Sequence, residues 1–230
     1  MRYNNIVEGK FIDRPNRFIA YVEINGVKET VHVKNTGRCR ELLIPGATVY
    51  LEKSSNPNRK TAYDLVSVKK KERIVNMDSQ LPNYLVEEWL NNQKLFNNIT
   101  LIKREKTYGK SRFDVYLEAD GRKIFIEVKG VTLERDNVVS FPDAPTERGI
   151  KHLNELATAL KDGYETYVFF VIQMEGVDYF TPAFDKHKEF GDTLVKVYNQ
   201  GVKILAYDCH VTEDEVVICN EVPVKLELNN

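Results

Sequence analysis

Residues 112–130 read RFDVYLEADGRKIFIEVKG, and no other stretch constrains the fold as tightly. Asp120-Gly121 is a strong two-residue hairpin signal, because both positions of such a turn favour residues that tolerate positive φ. With that loop, Ala119 pairs with Arg122, Leu117 faces Ile124, Val115 faces Ile126 and Phe113 faces Val128, so one side is uniformly apolar. On the other side Tyr116 faces Phe125, Asp114 faces Glu127 and Arg112 faces Lys129. A slip of one residue would scramble both faces, so the hydrophobic pattern supports the register independently of the turn.

This register sets two carboxylates opposite each other, about 5 Å apart at Cβ, where like charges destabilise a hairpin. A divalent cation would offset the repulsion, and hard ions such as Mg2+ take carboxylate oxygens as ligands. Lys129 lies two residues from Glu127 on the same strand face, within reach of a phosphate or an attacking water. Asp, Glu and Lys converging on a metal suit phosphodiester hydrolysis. The competing reading is an exposed ladder of Arg112, Asp114, Glu127 and Lys129. Such a ladder would gain more by alternating its signs than by setting two acids face to face.

The flanking sequence divides into two textures. Residues 1–75 carry short β-type runs at 17–25, 28–34, 46–54 and 62–70, separated by Asn25-Gly26, Asn35-Thr36-Gly37, Pro45-Gly46 and Asn56-Pro57-Asn58. Strands of this length and spacing predict a small OB-type β-barrel. From Pro82 the pattern changes to a helix over 82–96, strands over 99–108, 112–118 and 123–129, and a helix over 145–160. A buried strand over 164–174, a helix over 186–200 and a strand over 202–209 complete it. The expected class is α+β with two domains: a barrel over 1–78, then an α/β domain over 79–230 in the order αβββαβαβ, a mixed sheet flanked by helices.

Charge follows the same division. Residues 1–80 hold 15 Lys and Arg against 9 Asp and Glu, whereas the whole chain carries a net charge of −1. A basic amino-terminal part suits a polyanion. Arg17, Lys34, Arg38, Arg40 and Lys70 are its candidate nucleic-acid contacts, with Phe18, Tyr21 and His32 among them; cations track phosphates and rings stack on bases. Such contacts carry no base sequence information. Cys39, Cys209 and Cys219 are odd in number and lack metal-finger spacing. With no apolar run long enough to span a membrane and no signal-peptide core, a cytoplasmic protein without membrane contact is expected.

Asp114, twelve intervening residues, then Glu127-Val128-Lys129 resembles the PD-(D/E)-x-K restriction-endonuclease-like superfamily, with Phe113 in place of the proline. HVKNTGRCRELLIPGATV (32–49), EVKGVTL (127–133) and FPDAPTERGIKHLNEL (141–156) are similar to the sugar fermentation stimulation protein A family across essentially the whole chain. The resemblance implies an OB-type domain, a nuclease-like domain and DNA binding without sequence preference. It carries over Asp114 and Glu127 as metal ligands for Mg2+ or Mn2+ and Lys129 as the catalytic lysine. Glu88, rather than Glu87, is the candidate for a further acid from the first helix.

Arg148 and His152, four apart on one helix face, are further candidates for a phosphate above the carboxylate pair, and Asp143 is the expected cap of that helix. Two functions stay open: a metal-dependent nuclease on DNA or RNA, single-stranded DNA included, and a non-catalytic DNA-binding regulator of sugar (maltose) metabolism.

Overall fold

A computed structural model of the chain describes residues 1–92 and 95–227. Six strands come first: β1 (Ile6–Asp13), β2 (Ile19–Ile24), β3 (Val27–Val33), β4 (Thr48–Lys53), β5 (Tyr63–Lys70) and β6 (Arg73–Asn76). β1 pairs with β2 and β4, β2 with β3, and β4 with β5. A short parallel contact of β3 with β5, His32 beside Asp64 and Val33 beside Leu65, closes the circuit into a five-stranded barrel of OB type. β6 adds to the outer side of β5.

β1 is absent from the strands expected above, and its residues explain why. In IVEGKFID only Gly9 and Phe11 are buried, so little apolar alternation marks the strand. The inward glycine reads as a loop, yet the packing demands it. A Cβ at Gly9 would lie 2.5 Å from Val22 Cγ1 and 3.1 Å from Leu51 Cδ1, too close for any larger residue.

The barrel's closing contact is ionic as well as backbone. Asp64 accepts from both terminal nitrogens of Arg59 at 2.7 Å and lies 2.8 Å from His32 Nδ1. A second buried cluster joins Tyr3, Asn76, Asp78 and Gln173. Asn76 Nδ2 donates to the Tyr3 hydroxyl, and Gln173 Nε2 donates to Asn76 Oδ1.

The remaining elements are α1 (Leu81–Asn92), β7 (Ile99–Tyr108), β8 (Ser111–Ala119), β9 (Arg122–Val131), β10 (Leu133–Arg135), β11 (Val138–Phe141) and α2 (Glu147–Lys161). β12 (Glu165–Ile172), β13 (Tyr179–Pro182), α3 (Lys188–Asn199), β14 (Lys203–Val211) and β15 (Val216–Glu221) follow. One six-stranded sheet has the order β15-β14-β12-β9-β8-β7. It is mixed: β9, β12 and β14 run parallel, while β7, β8 and β9 form an antiparallel meander. This is the expected α/β sheet of restriction-endonuclease type. A small second sheet, β10-β11-β13, was not anticipated; its strands of three and four residues are too short to carry a period.

α1 lies on one face of the large sheet, where Trp89 packs within 5.2 Å of Phe169 and 5.0 Å of Tyr207, ring centre to ring centre. The expected helix end at 96 falls beyond Asn92, and residues 93–94 lie outside those described. α2 starts at Glu147 and not at Pro145. Its cap is Thr146, whose hydroxyl accepts from Gly149 N at 3.0 Å, while Asp143 sits upstream of the cap position. Residues 173–175 and 209–217 group with the first compact unit, and the rest from Pro82 onward forms the second. Among the described residues no helix is long and apolar enough to cross a membrane.

Asp64 supplies a pH test of the closed barrel. Burial raises its carboxyl pKa, but the Arg59 and His32 contacts more than offset this and hold it below the ordinary value. A depressed native pKa contributes stability above the unfolded value and loses it as pH falls through the native one. Asp64→Asn is expected to lower barrel stability at neutral pH by about 2 kcal/mol. That deficit should shrink as the pH drops to ~3. Urea midpoints of both proteins across this range check it, and a gap independent of pH contradicts the assignment.

Candidate active site

The hairpin of β8 and β9 turns at Asp120 and Gly121, with φ of 53° and 74°, the positive values that the two-residue loop requires. Its ladder keeps the expected register from Ala119↔Arg122 to Val115↔Ile126. At Asp114 the alternation breaks. Asp114 Oδ2 accepts the Val128 N–H at 2.8 Å, so a side chain stands where a backbone carbonyl would continue the ladder. Phe113 correspondingly packs its ring 5.0 Å from Phe125 and 6.3 Å from His152 of α2, on the face expected to be polar, and not opposite Val128.

Asp114 is held from two sides. Its Oδ1 accepts from Asn83 Nδ2 of α1 at 3.0 Å, so α1 reaches the site through an amide. Asn83 escaped notice in the sequence because an amide in a helix carries no charge signal. Glu88 is exposed, and Glu87 pairs with Arg104 at 3.0 Å. Burial and the Glu127 charge raise the Asp114 carboxyl above its usual range, against the opposing pull of Val128 N–H, Lys129 and Asn83.

Glu127 is almost fully buried, and one of its oxygens carries all its hydrogen bonds. Oε1 accepts from Lys129 Nζ at 2.6 Å and lies 2.5 Å from His152 Nδ1. His152 Nε2 faces the Arg148 Nε–H at 3.4 Å, and since an arginine only donates, Nε2 accepts and the ring proton sits on Nδ1 toward Glu127. Burial raises the Glu127 carboxyl pKa, but the His152 hydrogen bond and the Lys129 charge outweigh it and hold the group below its ordinary value. Oε2 is buried without a hydrogen-bond partner among the described residues.

A buried carboxylate oxygen left bare is costly unless something binds it. Beside the Asp114 carboxylate, this atom fits a hard divalent cation, whose preferred ligands are oxygens. Asp114 and Glu127 are the two residues that would hold it. Another group with metal-ligating atoms near one another is Glu147, His187 and Glu189, at the start of α2 and α3, and both of its glutamates are exposed.

In the barrel, the sequence-derived cations divide. Arg17, Arg38 and Arg40 are exposed, and Phe18 beside Arg17 is 53% exposed. Lys34 is drawn to the buried Asp78 at 2.6 Å, His32 is engaged by Asp64, and Lys70 is half-buried opposite Arg73. Arg14, not singled out in the sequence, organises the exposed set. Its guanidinium donates to the carbonyls of Arg17, Asn35, Gly37 and Arg38 at 2.6 to 2.9 Å, fastening the loop after β1 to the loop after β3.

Comparison with known proteins agrees with this architecture. Residues 12–77 match the family model described as the SfsA N-terminal OB domain, and residues 80–215 match the sugar fermentation stimulation protein RE domain. A sugar fermentation stimulation protein homolog of Ruminiclostridium cellulolyticum is 58% identical over 98% of this chain and 100% of its own length. One from Clostridium kluyveri is 49% identical over 97% and 99%. The solved structure of Pyrococcus furiosus SfsA in complex with Ca2+ superposes with a TM-score of 0.89 at 28% identity, covering 98% of both chains. With both halves matched in order and relatives aligned over their full length, the chain belongs to the sugar fermentation stimulation protein family.

Proposed function

We propose that this chain is a divalent-metal-dependent phosphodiesterase acting on nucleic acid, with the barrel binding the strand without sequence preference. The observation that carries this reading is the buried, unpartnered Oε2 of Glu127 beside Asp114, with Lys129 hydrogen-bonded to the same glutamate. A binding protein gains nothing from a bare buried carboxylate oxygen next to a second acid. The Pyrococcus furiosus relative was solved in complex with Ca2+, a hard ion of the kind that takes oxygen ligands, and Mg2+ or Mn2+ is the ion we assign to Asp114 and Glu127.

When bound, such an ion lowers the pKa of a coordinated water and stabilises charge on phosphorus. The chain's own residues do the rest. The Asn83 amide and the Val128 N–H orient Asp114. The His152 Nδ1–H occupies Glu127 Oε1, which favours the ionised glutamate and leaves the buried Oε2 as the available ligand. Lys129 places a cation where the attacked phosphate accumulates negative charge. Nothing in this set reads a base. Exposed Arg17, Arg38 and Arg40 with Phe18 supply phosphate contacts and a stacking surface, which suits a single strand.

Asp114→Asn and Lys129→Ala are expected to lower cleavage of labelled DNA or RNA with Mg2+ or Mn2+ by roughly 10²–10⁴-fold while leaving binding intact. Wild-type protein that binds but cuts none of these substrates under any metal condition leaves the non-catalytic DNA-binding regulator as the better reading. Calorimetric titration with Mn2+ checks the metal separately: binding should disappear in Glu127→Gln.

The barrel has its own signature. Phe18→Ala should weaken single-stranded DNA binding by about tenfold at every salt concentration, as expected for loss of one stacked base. Arg17→Gln should instead reduce the slope of log affinity against log salt by ~1. Identical behaviour of the two variants would place the strand elsewhere.

A further inference from the structure

Next to His152 is a cavity of about 500 Å³ whose lining includes neither Asp114 nor Glu127 and which the mechanism above does not use. Lys110, Ser111 and Arg112 line it from the turn and first residues of β8, and Arg148, Lys151 and His152 line it from the first turns of α2. Four cations therefore meet around one concavity, against a single acid in the lining, Glu147. A cleft of one sign concentrates counter-ions of the other.

Surface cations alone would be unremarkable, since sheet edges carry lysine and arginine against aggregation and β7 is such an edge. Ser111 is what distinguishes this cavity. The residue is 6% exposed, it lines the cavity, and its Oγ is buried with no hydrogen-bond partner among the described residues. A buried hydroxyl without a partner destabilises the fold unless a ligand completes it.

The cations are also lightly engaged. Arg112 meets Glu105 at 3.4 Å in an exposed pair, and Lys151 donates to the Lys110 carbonyl at 2.9 Å with Glu155 no nearer than 3.9 Å. Among the described residues, the polar contact of the Arg148 guanidinium is its long one to His152, at 3.4 Å.

We infer that this cavity is a phosphate subsite, separate from the position at Asp114 and Glu127, which takes a second phosphate group of the bound strand. Donors from two elements surround the space, as a tetrahedral oxyanion with several acceptor oxygens requires, whereas a planar carboxylate needs only one fork. Ser111 Oγ supplies a neutral donor at the bottom, and Arg148 supplies the guanidinium. His152 then lies between two phosphates, its Nδ1–H on Glu127 and its Nε2 toward Arg148. Occupation draws Arg148 from His152 toward the anion, so strand position is felt at the glutamate. The anion site stands on the cavity itself; that the anion belongs to a nucleic acid rests on the function proposed above.

The test uses the full chain with inorganic phosphate as probe, followed by calorimetry or 31P line broadening. Arg148→Gln should weaken phosphate binding about tenfold or more. Ser111→Ala should weaken it severalfold and cannot fail for loss of a native bond, because Oγ makes none. Lys161→Gln, at the far end of α2, should change nothing. Asp114→Asn should lower cleavage as stated above yet keep phosphate binding, so a wild-type protein that never cuts but binds phosphate through Arg148 refutes the nuclease and keeps the subsite.

Phosphate binding that is undetectable, or indifferent to both Arg148→Gln and Ser111→Ala, overturns the subsite whatever the cleavage result. Oligonucleotides with and without a terminal phosphate identify the source. A preference for the phosphorylated strand that Arg148→Gln removes assigns a chain end. Equal affinities lowered together by Arg148→Gln assign an internal diester.

Discussion

The hydrogen bond from Val128 N–H to Asp114 Oδ2 is the hinge of the site. A hairpin that kept its backbone ladder would project Asp114 and Glu127 side by side from one face, as two repelling charges with nothing between them. By accepting the Val128 N–H itself, Asp114 ends the ladder and parts the strands. Three consequences follow from that one substitution of side chain for backbone. Asn83 of α1 reaches the carboxylate, Phe113 crosses to pack on His152 and Phe125, and Glu127 stays buried with one oxygen occupied and one bare.

How Glu127 is satisfied then decides what the pair can do. Both of its donors converge on Oε1, which leaves Oε2 without a partner in a water-poor setting. An ion pair built for stability would share its donors between the oxygens. The cost of leaving Oε2 bare is carried by the surrounding core: Ile126, Val128 and Phe170 are buried, and Phe113 stands against the histidine. Binding of a cation there would recover that cost, so its affinity would be prepared in the folded chain rather than gained by rearrangement.

Much of this was legible in the residues. The Asp-Gly turn and two alternating faces gave the register of β8 and β9, and the EVK run marked the acid and base. The break at Asp114 was not legible, because it depends on a carboxylate taking the Val128 N–H in place of a backbone carbonyl, which no pattern of residue types records. Barrel cations were read too generously for a similar reason. Lys34 and His32 look free in the sequence, but buried acids at Asp78 and Asp64 claim them across the fold. Conversely Arg14 looked like one charge among many, and only four converging carbonyls reveal it as the clasp of the exposed loops. β1 was lost because its inward position is a glycine, chosen for closeness to Val22 and Leu51 and not for turning.

Charge illustrates why local arrangement outranks totals. The basic excess lies in the first part, which makes the second, acidic part an unpromising partner for a polyanion when judged by sum. Yet several of its acids are already engaged by cations: Glu165 by Arg122 and Lys203, Asp120 by Arg122, Glu87 by Arg104. Around His152 the balance reverses, with Lys110, Arg112, Arg148 and Lys151 facing one cavity. At physiological ionic strength exposed charges beyond about 8 Å are largely screened, so a phosphate at that cavity responds to these four and little to the distant acids. The acids closest to these cations are Glu147 in the lining, Glu105 and Glu155; Asp114 and Glu127, joined to the cavity through His152, are the two a divalent cation would neutralise. A metal at the carboxylate pair and an anion in the cavity would therefore reinforce each other, each removing charge that would otherwise repel or compete for the other's ligand.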